Sequence, residues 1–146
     1  MMKTLSRITG MLALALLAAQ AGRAQEPILA NIPFAFTVGN MTLPAGEYRV
    51  EKLQDSSPAL LIQRTDRGAS MIVITSAVEV NAPQAQTKLI FHRYGKKCFL
   101  SQVWTAGNAR GRELPNSRKA KAQGLLARDE TPEQVTIVAR LVPSRP

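Results

Sequence analysis

The chain has 146 residues, a formal net charge of +9, 45% hydrophobic and only 5% aromatic residues, with one histidine and one cysteine. That inventory excludes an internal disulfide and leaves too few nitrogen and sulfur ligands for a transition-metal site built from one chain. The length suits one domain around one core.

Lys3 and Arg7 precede an apolar run at 11–19, and Gly22-Arg23-Ala24 offers a small-x-small cleavage site before Gln25. This is the three-part layout of a secretory signal peptide. The run is about half of the ~20 apolar residues needed to span a bilayer, so residues 1–24 are expected to be removed rather than to act as an anchor. Position 25 is glutamine, so the cysteine that a lipoprotein needs there is missing. The expected product is a single β-rich domain at 25–146, without a transmembrane anchor, exported to a periplasm or secreted. Loss of Lys3, Arg7 and Arg23 with no acid lowers the charge by three and leaves a modest basic surplus. Such a surplus favours anionic partners, among them envelope polysaccharide or a lipid surface, and also serves solubility.

Ile32, Phe34, Phe36 and Val38 alternate with Pro33, Ala35 and Thr37, the period of a strand with one buried face. Pro33 has no amide hydrogen, which predicts an edge position, and Gly39-Asn40 predicts a hairpin turn. After the turn at Leu43-Pro44-Ala45-Gly46, Tyr48, Val50 and Lys52 share one face against Glu47, Arg49 and Glu51. Residues 60–64 resume the pattern. Asp66-Arg67-Gly68 predicts a hairpin into a β-branched strand at 71–80. Residues 88–94 and 97–105, joined through Gly95-Lys96, form the clearest hairpin. Residues 106–116, with glycines, charges and a proline, predict a loop. Ser117 is placed to cap a short helix through 127, which Thr131-Pro132 stops. Val135, Ile137, Ala139 and Leu141 alternate in a last strand. The expected fold is all-β, a small antiparallel sandwich or barrel of about seven strands with one short helix before the last.

The motifs argue against an enzyme. His92 is the single candidate base, in phase with Ile90 and Tyr94 on a strand and without a G-x-S-x-G elbow. The acids Asp129, Glu130 and Glu133 lack the spacing of a calcium loop, and no glycine-rich phosphate cradle occurs, so no metal and no cofactor is expected. The basic run Arg110, Arg112, Arg118, Lys119, Lys121 and Arg128 lacks interleaved aromatic residues, so nucleic acid is not an expected partner. Cys98, in a strand-like segment, is expected to be a buried thiol.

The segments Ile32-Pro33-Phe34-Ala35-Phe36-Thr37-Val38-Gly39-Asn40, Leu43-Pro44-Ala45-Gly46-Glu47-Tyr48, Phe91-His92-Arg93-Tyr94-Gly95, Val103-Trp104-Thr105-Ala106-Gly107 and Gly111-Arg112-Glu113-Leu114-Pro115 together resemble a family of small secreted bacterial β-rich proteins. That family has no assigned activity. The resemblance implies export and one β-rich domain, and adds no catalytic residues.

Two features carry the functional expectation. Trp104, the only tryptophan, precedes a glycine-containing loop where an indole can stack on a sugar ring, although core packing is the commoner fate of this side chain. Arg110, Arg112 and Glu113 follow in the long loop, and Arg118 and Lys119 on the basic helix face; long loops on rigid sheets are where binding residues gather. The expected role is non-enzymatic binding of an anionic envelope or extracellular component. The alternatives are a carrier holding an apolar ligand in a barrel cavity lined by residues such as Phe34, Phe36 and Val50, and a polysaccharide hydrolase with two facing carboxylates.

Overall fold

Alternation of apolar and polar side chains becomes twelve short strands in the computed structural model, which describes residues 26–54, 57–115 and 131–143. They are β1 (Ile28–Ile32), β2 (Phe36–Val38), β3 (Met41–Leu43), β4 (Gly46–Lys52), β5 (Ala59–Arg64), β6 (Ser70–Ile74), β7 (Ser76–Glu79), β8 (Lys88–Tyr94), β9 (Lys97–Trp104), β10 (Arg110–Glu113), β11 (Glu133–Val138) and β12 (Arg140–Leu141). The leader at 1–24 and the helix expected at 117–127 lie outside the described residues.

The strands form two sheets. One has the order β12-β1-β4-β5-β6 and the other β11-β8-β9-β10-β7. The β2–β3 hairpin joins the second sheet where Thr37 pairs in parallel with Phe99 of β9; all other pairings are antiparallel. The turn between β8 and β9 needs the left-handed backbone that Gly95 adopts, with φ at +61°.

Period-two patterning decides which face each strand buries. In β4, Tyr48 and Val50 are buried while Glu47 and Arg49 face solvent. The inner faces meet in one core: Ile28, Val50, Ile62 and Val73 from the first sheet, and Phe36, Leu89, Phe91, Leu100 and Val103 from the second. Its aromatic centre is edge-to-face, the favoured arrangement for ring quadrupoles. Phe91 meets Phe34 at 5.1 Å and Phe36 at 5.5 Å, and Phe36 meets Tyr48 at 5.0 Å. The Tyr48 hydroxyl leaves this apolar cluster by donating to the Pro44 carbonyl at 2.6 Å. Cys98 is buried in the same core, as its strand phase predicts.

Three expected strands are each divided in two, and β3 and β10 form where turn and loop were expected, which is why about seven become twelve. The chain at 32–38 ends β1 at Ile32 in one sheet and starts β2 at Phe36 in the other, so Pro33 marks a crossing and not a sheet edge. The segment 71–80 changes sheets at Thr75. There the backbone N–H and the side-chain hydroxyl both donate to the Pro58 carbonyl, at 2.9 and 2.7 Å. The last strand changes sheets at Ala139, whose N–H donates to the Thr87 carbonyl at 2.8 Å. Strands that switch sheets at bends are a recurrent way of making corners in small sandwiches. The corners connect the two sheets covalently at both sides, yet no hydrogen-bonded ladder runs from β6 to β7 or from β11 to β12, so the barrel does not close among the described residues. The expected loop at 106–116 also differs: its middle is β10, paired with β9 on one side and β7 on the other.

Candidate functional site

The position of β10 explains where the sequence-predicted residues go. Arg112 stands opposite Val103 of β9, a core residue, and its side chain is therefore directed between the sheets. Gly111 and Glu113, one residue to either side, belong to the opposite face. On that face Glu113 accepts a hydrogen bond from the Gln102 side-chain amide at 3.2 Å, and Gln102 in turn accepts one from the Trp104 indole N–H at 3.0 Å. Trp104 is only 3% exposed, packed over Gly111, and it is not available to stack on a sugar. Arg118 and Lys119 lie outside the described residues.

Between the two sheets, at the end where β10 sits, is a cleft of about 380 Å³. Its floor is apolar, made by Ile28, Val50, Leu60, Val103 and Leu141. Charged residues line it from both sheets. The second sheet brings Arg110 and Arg112; the first brings Glu26, Glu51 and Lys52. Thr105 and Asn108 add neutral polar groups.

The two arginines are not equivalent. Arg110 donates from Nε and Nη2 to Glu79 Oε1, at 2.9 and 2.5 Å, in a pair that is about two-thirds exposed on both sides. Arg112 is half-buried and has no ion pair or hydrogen bond from its guanidinium among the described residues; neither has Lys52 an ion pair. A guanidinium carries five donors in a planar fork suited to a carboxylate or phosphate. Arg112 therefore presents that fork, unspent, above an apolar floor.

The carboxylates do not face each other. Glu26 leads into β1 and Glu51 lies on β4, neighbouring strands of the same sheet, and Glu51, one residue out of phase with the inward Val50, directs its side chain to the outer face at the rim of the cleft. The acid of the opposing sheet, Glu113, is turned to the outer face and bound to Gln102. Among the described residues there is no group of three or more His, Cys, Asp or Glu placed to hold a metal ion. His92 stands mid-strand in β8 between Phe99 and Gln134, away from the cleft. Phe34 and Phe36, expected to line a cavity, instead fill the core with Phe91; Val50 does line the cleft. No helix of the described residues is long and apolar enough to cross a membrane.

A second hollow of about 370 Å³ lies on the outer face of the first sheet, beside Arg49, Arg64 and Arg67. Arg64 is engaged with Asp66 at 3.3 Å, Glu47 also lines it, and it lacks the apolar floor of the cleft.

Sequence reasoning found Arg110 and Arg112 but missed the wall opposite. Glu26, Glu51, Lys52 and Leu60 come from segments some fifty residues earlier or more, and only the packing of one sheet on the other brings them there. Compared with family models, with curated proteins and with solved structures, the chain matches none.

Proposed function

We propose that this protein is exported and non-catalytic, and that its inter-sheet cleft binds a unit of an acidic envelope or extracellular glycan. The single observation that carries the reading is Arg112, half-buried and without an ion pair among the described residues, reaching over an apolar floor. A sugar acid has the matching parts. Its carboxylate takes the Arg112 fork, the apolar face of its ring lies on Val103 and Leu60, and its hydroxyls donate to Glu26 on the facing wall. The volume falls within the range of small-ligand sites, about 300–1,000 Å³.

The acid on the wall favours a glycan over a phospholipid. An acyl chain offers Glu26 no donor, whereas hydroxyls do. The apolar-ligand carrier loses its support because the aromatic end of the core is filled by ring contacts. A two-carboxylate hydrolase needs its acids on opposite sides of the scissile bond, and Glu26 and Glu51 both come from the first sheet.

Calorimetric titration tests the reading, with three probes: a short oligouronate, a neutral oligoglucoside of equal length, and vesicles of anionic phospholipid. The oligouronate is expected to bind, more weakly by about 10-fold or more in Arg112→Ala, because a charge-assisted pair is lost, and more weakly as salt rises to about 0.5 M. Binding of the vesicles alone, or oligouronate binding indifferent to Arg112→Ala, would reject it.

A further inference from the structure

The outer edge of β6 is an open end of the first sheet; among the described residues nothing pairs with it. Two hydrogen bonds set the phase of the ladder on its other side. The Thr75 N–H donates to the Pro58 carbonyl at 2.9 Å and the Arg64 N–H to the Ala69 carbonyl at 2.8 Å. Odd-numbered residues of this segment therefore turn their backbone groups toward β5, and the alternation of an antiparallel pair turns those of Ser70, Ile72 and Ile74 outward. The same three residues carry the side chains of the solvent face, where Ile72 is 56% and Ile74 60% exposed.

Other edges are blunted in the ways natural sheets use. β12 has two residues, one of them Arg140; β3 has three and runs into Pro44; β7 carries Glu79, held by Arg110; β11 follows Pro132 and starts with Glu133. The segment Ser70-Met71-Ile72-Val73-Ile74-Thr75 has neither charge nor proline, and β-branched residues fill half of it or more. An uncharged, β-prone edge with free backbone groups is a template for another strand.

We propose that the strand it accepts is β6 of a second copy, antiparallel, across a two-fold axis at Ile72. That register pairs Ile72 with Ile72 of the second copy, and Ser70 with its Ile74. All three pairings fall on residues whose backbone groups are free, and each such pair exchanges two hydrogen bonds. Outward side chains meet outward side chains, so exposed isoleucines cover one another while Met71 and Val73 continue the inner face. No charge in the segment calls for a partner of opposite sign. A two-fold contact uses the same edge of both copies and leaves none open, which gives a closed dimer and not a fibre. Two clefts on one particle would also bind a repeating polymer with avidity, though the dimer stands whatever the cleft holds.

Sedimentation of the purified protein, with two substitutions at one site, tests this. Wild type is expected to form a dimer. Ile72→Lys, which sets two like charges across the axis, weakens it by about tenfold or more, while Met41→Lys, at another exposed apolar position, leaves it intact. Under mild oxidation Ile72→Cys links two chains, because paired Cα atoms in such a register lie about 5.5 Å apart, inside the disulfide range; Met41→Cys does not. Far-ultraviolet circular dichroism confirms that each variant keeps its strands. A monomer up to about 0.1 mM, a dimer indifferent to Ile72→Lys, or no cross-link from Ile72→Cys overturns the proposal.

Discussion

Gly111 lies directly beneath the indole of Trp104: a Cβ at this position would come within 2.7 Å of Cδ2 and Cε3 of the ring. The backbone of β10 can thus sit against β9 only because residue 111 has no side chain, and Arg112 is carried into the cleft by that close approach.

Gly111→Ala is accordingly expected to destabilise the fold by about 1–3 kcal/mol, the usual range for overpacking, because the added methyl meets a buried ring at 2.7 Å and the Val103 carbonyl at 2.9 Å. Chemical denaturation followed by tryptophan fluorescence measures it. An unchanged midpoint would mean that β10 is held by something other than this contact.

Thr75 holds the corner between the two sheets through one carbonyl. Thr75→Val keeps the shape and the backbone bond but removes the hydroxyl that donates to Pro58. A loss of about 1 kcal/mol is expected, with hydrogen exchange rising first in β6 and β7. Uniform exchange across both sheets would show that the corner is not a local weak point.

Burial raises the phenol pKa of Tyr48 above its ordinary 10.0, Arg64 opposing and Asp66 assisting, and raises that of Tyr94 by burial alone. Burial also raises the Cys98 thiol above its ordinary 9.0, with Arg93 opposing and Glu133 assisting. Each group is an acid whose neutral form the folded state prefers. Between the unfolded and folded values the unfolded chain has lost its proton and the folded chain has not, so stability falls with rising pH. Stability should be level below pH 9, as far as these groups are concerned, and decline from about 9 upward through the folded values. Tyr48→Phe should soften the decline above pH 10 while lowering stability at neutral pH by about 1 kcal/mol, through loss of the bond to Pro44. Urea titrations at several pH values decide it.

The buried Cys98 thiol should resist an aromatic disulfide reagent at pH 8 in the native protein and react at once in denaturant. Rapid reaction of the native thiol would place it at the surface.

Exposure limits the Arg110–Glu79 pair, which solvent reaches on both sides. Glu79→Ala is expected to leave the unfolding midpoint nearly unchanged, as exposed ion pairs add little. A clear loss would show that β7 depends on this pair for its place beside β10.

Period-two patterning and turn chemistry are local properties, and they were enough to show that the protein is all-β, to mark the β8–β9 hairpin through Gly95-Lys96, and to send Tyr48, Val50 and Cys98 inward. The same patterning runs unbroken through Thr75 and Ala139, because side chains go on alternating while the backbone changes partners. Only the tertiary structure decides where a strand leaves one sheet for the other. It also decides that Arg110–Glu113, rich in charge and glycine, is a strand: its backbone groups find partners on β9 and β7, and no periodicity in the segment announces them. The cleft belongs to the same class of fact. Arg112 was conspicuous in the sequence, but the apolar residues it faces across the cleft, Ile28, Val50, Leu60 and Leu141, come from β1, β4, β5 and β12, brought opposite by the burial of two sheet faces against each other.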